Sequence, residues 1–303
     1  MPSARLVLAG YGFDASGPHL VLNVLDSKER YKLPVAGNRF LLERLDARYC
    51  TGRFDLESFE AECCPHNAEL PDDYKDTSCP ECLEATGFNP SFYHAQVVSS
   101  KQLAYNATPH FVYMVFFAEN LVKVGISATS RNIERLLEQG ARAAMLLGVF
   151  DNADEARLLE EALCGHADII ETLRSSKKSD LIRENTYNVA EAEEVLTSYA
   201  QKYQLEPLSW SVLVEGEDTK LLDLQKYYLV EDLPRRALHT SKAFSAQVCG
   251  GLCIGMIGSN LIFKQEEEYL VFSLKSWDSH LVKLALGPSN FAFDIEPTQI
   301  SLF

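Results

Sequence analysis

The hydrophobic and polar positions alternate with a period of two near both ends of the chain and switch to a helical period in the middle. ARLVLAGYG and HLVLNVLD are strand-like, with SGP (16–18) as the turn between them. NRFLLERLDARYC (38–50) alternates imperfectly and fits a third strand or a short helix. HFVYMVFF and LVKVGI are two β runs joined by the tight connection AEN, followed by a helix expected to start near Ser130 as its N-cap. AMLLGVF (144–150) reads as a short strand. Asn152 with Glu155 forms a capping box for a second helix over DEARLLEEALCGHADIIETL, and AEAEEVLTSYAQKYQ (190–204) is a third helical segment. From 206 onward WSVLVEG, KYYLV, IGMIGSNLIF, EYLVFSL and HLVKLAL read as β structure. The pattern divides the chain into an N-terminal β segment (1–49), a Cys-rich segment (50–108), an α/β core (109–205) and a C-terminal β-rich region (206–303). The N-terminal strands are expected to pair with the C-terminal ones around the core.

Five of the eight cysteines fall in the second segment: Cys50, Cys63, Cys64, Cys79 and Cys82. Acidic and turn residues separate them, so the segment has little apolar material with which to close a core of its own. CPEC (79–82) is one Cys-x-x-Cys pair, and structural Zn2+ takes four thiolate or imidazole ligands, commonly as two short-spaced pairs. Cys50 with Cys63 or Cys64 would complete the set, and His66 competes for a place. Cys249, Cys253 and Cys164 read instead as core residues.

The 303 residues carry a formal net charge of −15 and are 47% hydrophobic. That balance disfavours broad, non-specific binding to DNA, which depends on basic surface, but it leaves room for a local basic site. The N-terminus shows no apolar signal segment, and no apolar run approaches the roughly 20 residues that span a bilayer. A cytoplasmic protein with no membrane contact is expected.

The local charge has the opposite sign around 101–150. Lys101, Lys123, Arg131, Arg135 and Arg142 face only Glu119, Glu134 and Glu138. On one continuous helix, at 100° per residue, the three arginines would fall within about 40° of one another, opposite Ile133, Leu136 and Leu137. A second basic cluster, RSSKKSDLIR, follows at 174–183. An arginine fork suits phosphate because it donates two parallel hydrogen bonds and stays charged. On the next helix Glu160 falls at the edge of the apolar stripe made by Ala156, Leu159 and Leu163. Such a carboxylate is either a structural hydrogen-bond partner or a ligand for Mg2+ or Mn2+.

These residues, in this order, resemble the GIY-YIG nuclease family: a strand with a first tyrosine (Tyr113), a second strand ending at a glycine (Gly125), a helix with an arginine (Arg135), and a later helix with a glutamate (Glu160). The chain is also similar over most of its length to an uncharacterised bacterial domain family. That family reads Cys-rich segment, KVGI, R-x-x-x-QGA, a helix with Glu, then G-x-L-x-G-x-x-G-x-x-L-I-F. The matching stretches are CPEC, KVGIS (123–127), RLLEQGARAA (135–144), EARLLEEAL (155–163) and GGLCIGMIGSNLIF (250–263).

The resemblance implies an α+β fold in which a small mixed sheet with helices is flanked by the zinc-binding segment and by β structure from both ends. It also implies metal-dependent cleavage of a nucleic acid. Tyr113 would stand near the attacking water, Arg135 would clamp the phosphate and Glu160 would hold Mg2+ or Mn2+. Lys123 stands where the family has a second tyrosine, and Gln139 lies near the place of its histidine. Arg131, Arg142, Gln139 and Gly125 are the remaining candidate substrate contacts. Two other readings stay open: a nucleic-acid or nucleotide binding module without catalysis, and an enzyme acting on a small phosphorylated metabolite.

Overall fold

The computed structural model describes residues 4–58, 60–87, 98–240, 247–287 and 294–295. The chain opens as an antiparallel meander of β1 (Leu6–Asp14), β2 (Gly17–Val24) and β3 (Glu29–Pro34), after which β4 (Asn38–Tyr49) leaves β3 and joins the same sheet elsewhere. The ambiguous 38–50 stretch is therefore a strand, and a long one. The Cys-rich segment holds only short elements: β5 (Arg53–Phe54), β6 (Ala61–Glu62), β7 (Glu69–Leu70), α1 (Pro80–Thr86) and α2 (Ser100–Asn106).

The middle of the chain runs β8 (His110–Ala118), β9 (Leu121–Ala128), α3 (Glu134–Gln139), β10 (Ala143–Phe150), α4 (Ala153–Cys164), α5 (Ser175–Glu184) and α6 (Val189–Lys202). The last stretch supplies β11 (Leu221–Asp223), α7 (Gln225–Tyr228), β12 (Val248–Ile257), β13 (Asn260–Gln265), β14 (Glu268–Ser273) and β15 (His280–Leu286).

Two sheets carry the fold, which makes it α+β. The larger has nine strands among the described residues, in the order β14-β13-β12-β4-β15-β1-β2-β3, with β7 on the end of β4. Its centre joins the two ends of the chain: β4 pairs antiparallel with β12 on one edge and with β15 on the other. The smaller sheet has the order β11-β10-β8-β9. The expected mixed sheet is mixed only by one parallel bridge, Val122 to Ile169, since its ladders are all antiparallel.

β8 is buried along its whole length apart from its last residue, and its two faces serve two cores. Phe111, Tyr113 and Val115 point into the core shared with the large sheet. Val112, Met114 and Phe116 point into the second core, beneath α4 and α6. A period of two on a doubly covered strand produces this division.

Four expectations are corrected. The helix after β9 does not start at Ser130: Thr129–Arg131 is a single 3-10 turn, and Asn132 at φ 44° interrupts it before α3 begins. A residue in the left-handed region cannot continue a right-handed helix. The second helix stops at Cys164, where the Gly165 N–H closes on the Glu161 carbonyl, and the chain turns back so that Ile169 pairs with Val122.

KYYLV is not a strand but supplies the last three residues of α7, ended by Leu229 at φ 58°; its Tyr228 is fully buried and donates to the Ala141 carbonyl at 2.7 Å. WSVLVEG forms a 3-10 turn at Trp210–Val212, because burying the Trp210 ring, whose indole N–H donates to the Ala144 carbonyl at 3.1 Å, outweighs the strand pattern. No described helix is long and apolar enough to cross a membrane.

Candidate phosphate cleft and thiol cluster

The β8–β9 hairpin sets Tyr113 directly across from Gly125. A Cβ at Gly125 would lie 2.7 Å from the Tyr113 hydroxyl oxygen and 2.9 Å from its Cζ, so only glycine leaves room for the phenol. Gln139, the last residue of α3, donates its side-chain N–H to the Tyr113 hydroxyl at 2.6 Å. Burial raises the pKa of Tyr113, so the group stays a neutral phenol with its own proton left to donate.

Lys123 sits two residues before Gly125, on the same face of β9. Its ammonium donates to the Glu171 carbonyl, and burial lowers its pKa while Glu160 draws it back up. Glu160, from α4, is half-buried, as its place on the helix implied. Asn152 caps that helix by accepting from the Glu155 N–H at 2.9 Å, and its own side chain donates to the Glu155 carboxylate.

Tyr113, Lys123, Gly125, Arg131, Arg135, Gln139 and Glu160 all line one cleft of about 520 Å3. Arg131 reaches it from the 3-10 turn and ion-pairs with Glu138 at 2.7 Å; Arg135 reaches it from α3, with Glu138 at 3.9 Å. The lining holds Lys123, Arg131, Arg135 and Arg157 against Glu160 as its one carboxylate among the described residues, so the cleft is cationic inside an acidic chain. Phe54, Leu56 and Thr86 from the Cys-rich segment form part of its wall.

Arg142 is not part of this group. The helix ends at Gly140, and Arg142 is buried where the chain enters β10, 4.6 Å over the Tyr187 ring, with its guanidinium donating to Gln225 and Asn185. Burial pushes its pKa down to about 10. Its helical angle had no meaning once the helix stopped after six residues.

Sequence reasoning missed Tyr105, His110 and Arg157. Arg157 precedes Glu160 by three on α4, a spacing that shares a face and was readable. Tyr105 and His110 arrive through tertiary packing, as an edge-on ring pair 5.5 Å apart.

Gly125→Ala is expected to cost about 1–3 kcal/mol, measured by denaturant unfolding, because the fully buried Tyr113 ring cannot move aside. A double-mutant cycle with Tyr113→Ala should show strong non-additivity, and additive costs would refute the steric account.

The thiols of Cys50, Cys64, Cys79 and Cys82 are buried and lie within 4.8 Å of one another, a set that could hold a metal ion. Geometry thus selects Cys64. Cys63 instead contacts the Arg30 guanidinium, and His66 pairs with Glu81 at 3.1 Å on the surface. Backbone N–H groups of Gly52 and Cys79 donate to the Cys50 sulfur, and those of His66 and Ala68 to Cys64. Burial pushes the Cys50 thiol up to about 11 and raises that of Cys82; at Cys64 burial also acts upward, but the backbone and thiol donors outweigh it. Gly52 at φ 95° permits this close turn, since a Cβ there would meet the Glu62 carbonyl at 1.8 Å. Cys249 and Cys253 are buried core residues, whereas Cys164 is only half-buried at the end of α4.

Residues 39–282 match the model of a family described as "Protein of unknown function (DUF2797)". No curated protein and no solved structure matches the chain.

Proposed function

The chain belongs to that family of unknown function, and we propose that its cationic cleft binds a phosphodiester of a nucleic acid and hydrolyses it with the help of a divalent ion. The observation that carries this reading is the convergence of Tyr113, Lys123, Arg135 and Glu160, from β8, β9, α3 and α4, on one cleft. The order of those elements supports a GIY-YIG-like scaffold, which is part of the same proposal.

In hydrolysis a water oxygen bonds to phosphorus, the P–O bond to the leaving strand breaks, and the departing oxygen takes up a proton. Arg135 binds the non-bridging oxygens and stabilises the charge that grows on them. The Tyr113 phenol, fixed by Gln139, orients the water. Lys123, lining the same cleft, would accept the proton of the water once it has given up its own. Glu160 would hold Mg2+ or Mn2+, and one carboxylate suits an ion that keeps waters and phosphate oxygens as its other ligands. When bound, that ion supplies Lewis-acid polarisation of the phosphate.

A second reading, binding without cleavage, is favoured by the hold of the Glu171 carbonyl on the Lys123 ammonium. A lysine kept charged grips phosphate but takes no proton.

The thiol cluster is proposed as a structural Zn2+ site. Four buried thiols with backbone donors fit a closed tetrahedral shell with no open catalytic position. Reduced thiols in this role fit a cytoplasmic protein.

The wild type should nick supercoiled DNA or cut structured RNA with Mg2+ or Mn2+, and Glu160→Gln should bring cleavage to background. Salt-dependent binding with no cleavage would leave the second reading in place. Neither binding nor cleavage would overturn both.

A further inference from the structure

A second cavity, of about 290 Å3, adjoins the cleft and shares Lys123, Arg135 and Gln139 with it. Two further cations complete its lining: Lys178 from α5 and Lys275 from the turn after β14. The β12–β13 turn supplies Gly258, Ser259 and Asn260. That turn is pressed against the end of α3 glycine to glycine: a Cβ at Gly258 would meet the Cα of Gly140 at 3.0 Å. The close approach brings the QGA stretch and the GSN stretch, more than a hundred residues apart, to one place. Ser179 of α5 locks the turn by donating to Asn260 at 2.8 Å.

Lys178 is half-buried in this wall, donating to the Gln139 carbonyl at 2.8 Å and standing 5.1 Å from the Phe117 ring centre. Burial is the main cause that pushes its pKa down, to about 8, and Lys123, Arg135 and Lys275 push it the same way. The two carboxylates in the lining do little to relieve this crowding. Glu138 is engaged by Arg131 and Arg135, and Glu171 is exposed and meets Lys123 through its backbone carbonyl. Holding like charges around a partly dehydrated ammonium is unfavourable, and an anion placed among them would remove the cost.

We propose that this cavity is a second phosphate subsite, which takes a neighbouring phosphate of the substrate whose phosphodiester lies in the cleft. The assignment rests on the cleft reading for the identity of its substrate, and on the four cations for the site itself. It narrows the substrate class to one with at least two phosphates in sequence, such as consecutive phosphates of a nucleic-acid strand. A compound with one phosphate would fill only half of the groove.

The test is an equilibrium titration of the full chain at low salt with inorganic phosphate, and with thymidine dinucleotides bearing or lacking a 5′-phosphate. Phosphate should bind the wild type, and Lys178→Met and Lys275→Gln should each weaken it about tenfold. The 5′-phosphorylated dinucleotide should bind more tightly than its 5′-hydroxyl counterpart, and Lys275→Gln should erase the difference. Lys275 is exposed, so its substitution keeps the test valid even if Lys178→Met does not fold.

No phosphate binding by the wild type, equal phosphate binding in the wild type and the folded lysine variants, or a 5′-phosphate preference that survives Lys275→Gln would each overturn the subsite. These titrations need no catalysis. Loss of the subsite with cleavage intact, or of cleavage with the subsite intact, therefore separates the two readings.

Discussion

A strong chelator, by removing the zinc proposed for the thiol cluster, should unfold the segment from Cys50 to Thr86 and abolish the cleavage proposed for the cleft. Structural zinc contributes about 10–16 kcal/mol of apparent binding free energy in small thiolate sites at neutral pH. Nothing else in this segment approaches that figure, because its core among the described residues is the four thiols with Leu70, backed by Ala68 and Tyr74. Cys82→Ser should act like the chelator. Protease cleavage within residues 50–87, followed by gel and metal analysis, reads the outcome directly. The cleft should fail for a mechanical reason, since Phe54, Leu56 and Thr86 form part of its wall. Added Mg2+ alone should not restore cleavage to the stripped protein, whereas zinc followed by Mg2+ should. An unchanged protease pattern after complete metal removal would rule out the structural role.

The second large effect is expected at Arg135. Arg135→Ala should lower kcat by about 10²–10³, the usual cost of removing one positioned donor from a developing oxyanion, with a smaller change in KM. Arg135→Lys should recover only part of the rate, because a point charge cannot donate two parallel hydrogen bonds to one phosphate. Stability should hold within about 0.5 kcal/mol: the side chain is 49% exposed and its one ion pair among the described residues, to Glu138, is long at 3.9 Å. Thermal unfolding beside steady-state kinetics checks both halves. A rate loss that follows a stability loss would place Arg135 in the scaffold instead.

What the sequence disclosed and what it hid divide along a physical line. The β8–β9 hairpin, the Asn152 cap and the CPEC pair are set by neighbours within a few residues, and each was legible. Arg135 and Glu160 were marked by helical periodicity and Tyr113 and Lys123 only by the family resemblance, and the four share a cleft because consecutive elements pack together. Arg142 was misplaced because a wheel of angles assumes an unbroken helix, and Asn132 and Gly140 break this one on both sides. Neighbouring Cys63 and Cys64 are identical in sequence terms, and only the fold turns one toward the cluster and the other toward Arg30. Lys178 was visible only as one member of the basic cluster at 174–183, and Lys275 gave no signal. Their meeting depends on the β12–β13 turn settling against the end of α3, a contact that no local pattern encodes.

The place of β4 has a consequence for biosynthesis. Leu42 is registered with Cys249 on one side and Leu284 on the other, so both edges of this strand are completed by residues that leave the ribosome far later. While the intervening chain is made, β1 to β3 can form their meander but β4 lacks both of its long partners, the arrangement most prone to wrong pairing. The middle sheet and the thiol cluster draw mainly on residues 50–223 and can close first. They would then tether the waiting meander and shorten the search that β12 and β15 must make. A chain organised in this way completes its larger sheet only after β12 and β15 have been made.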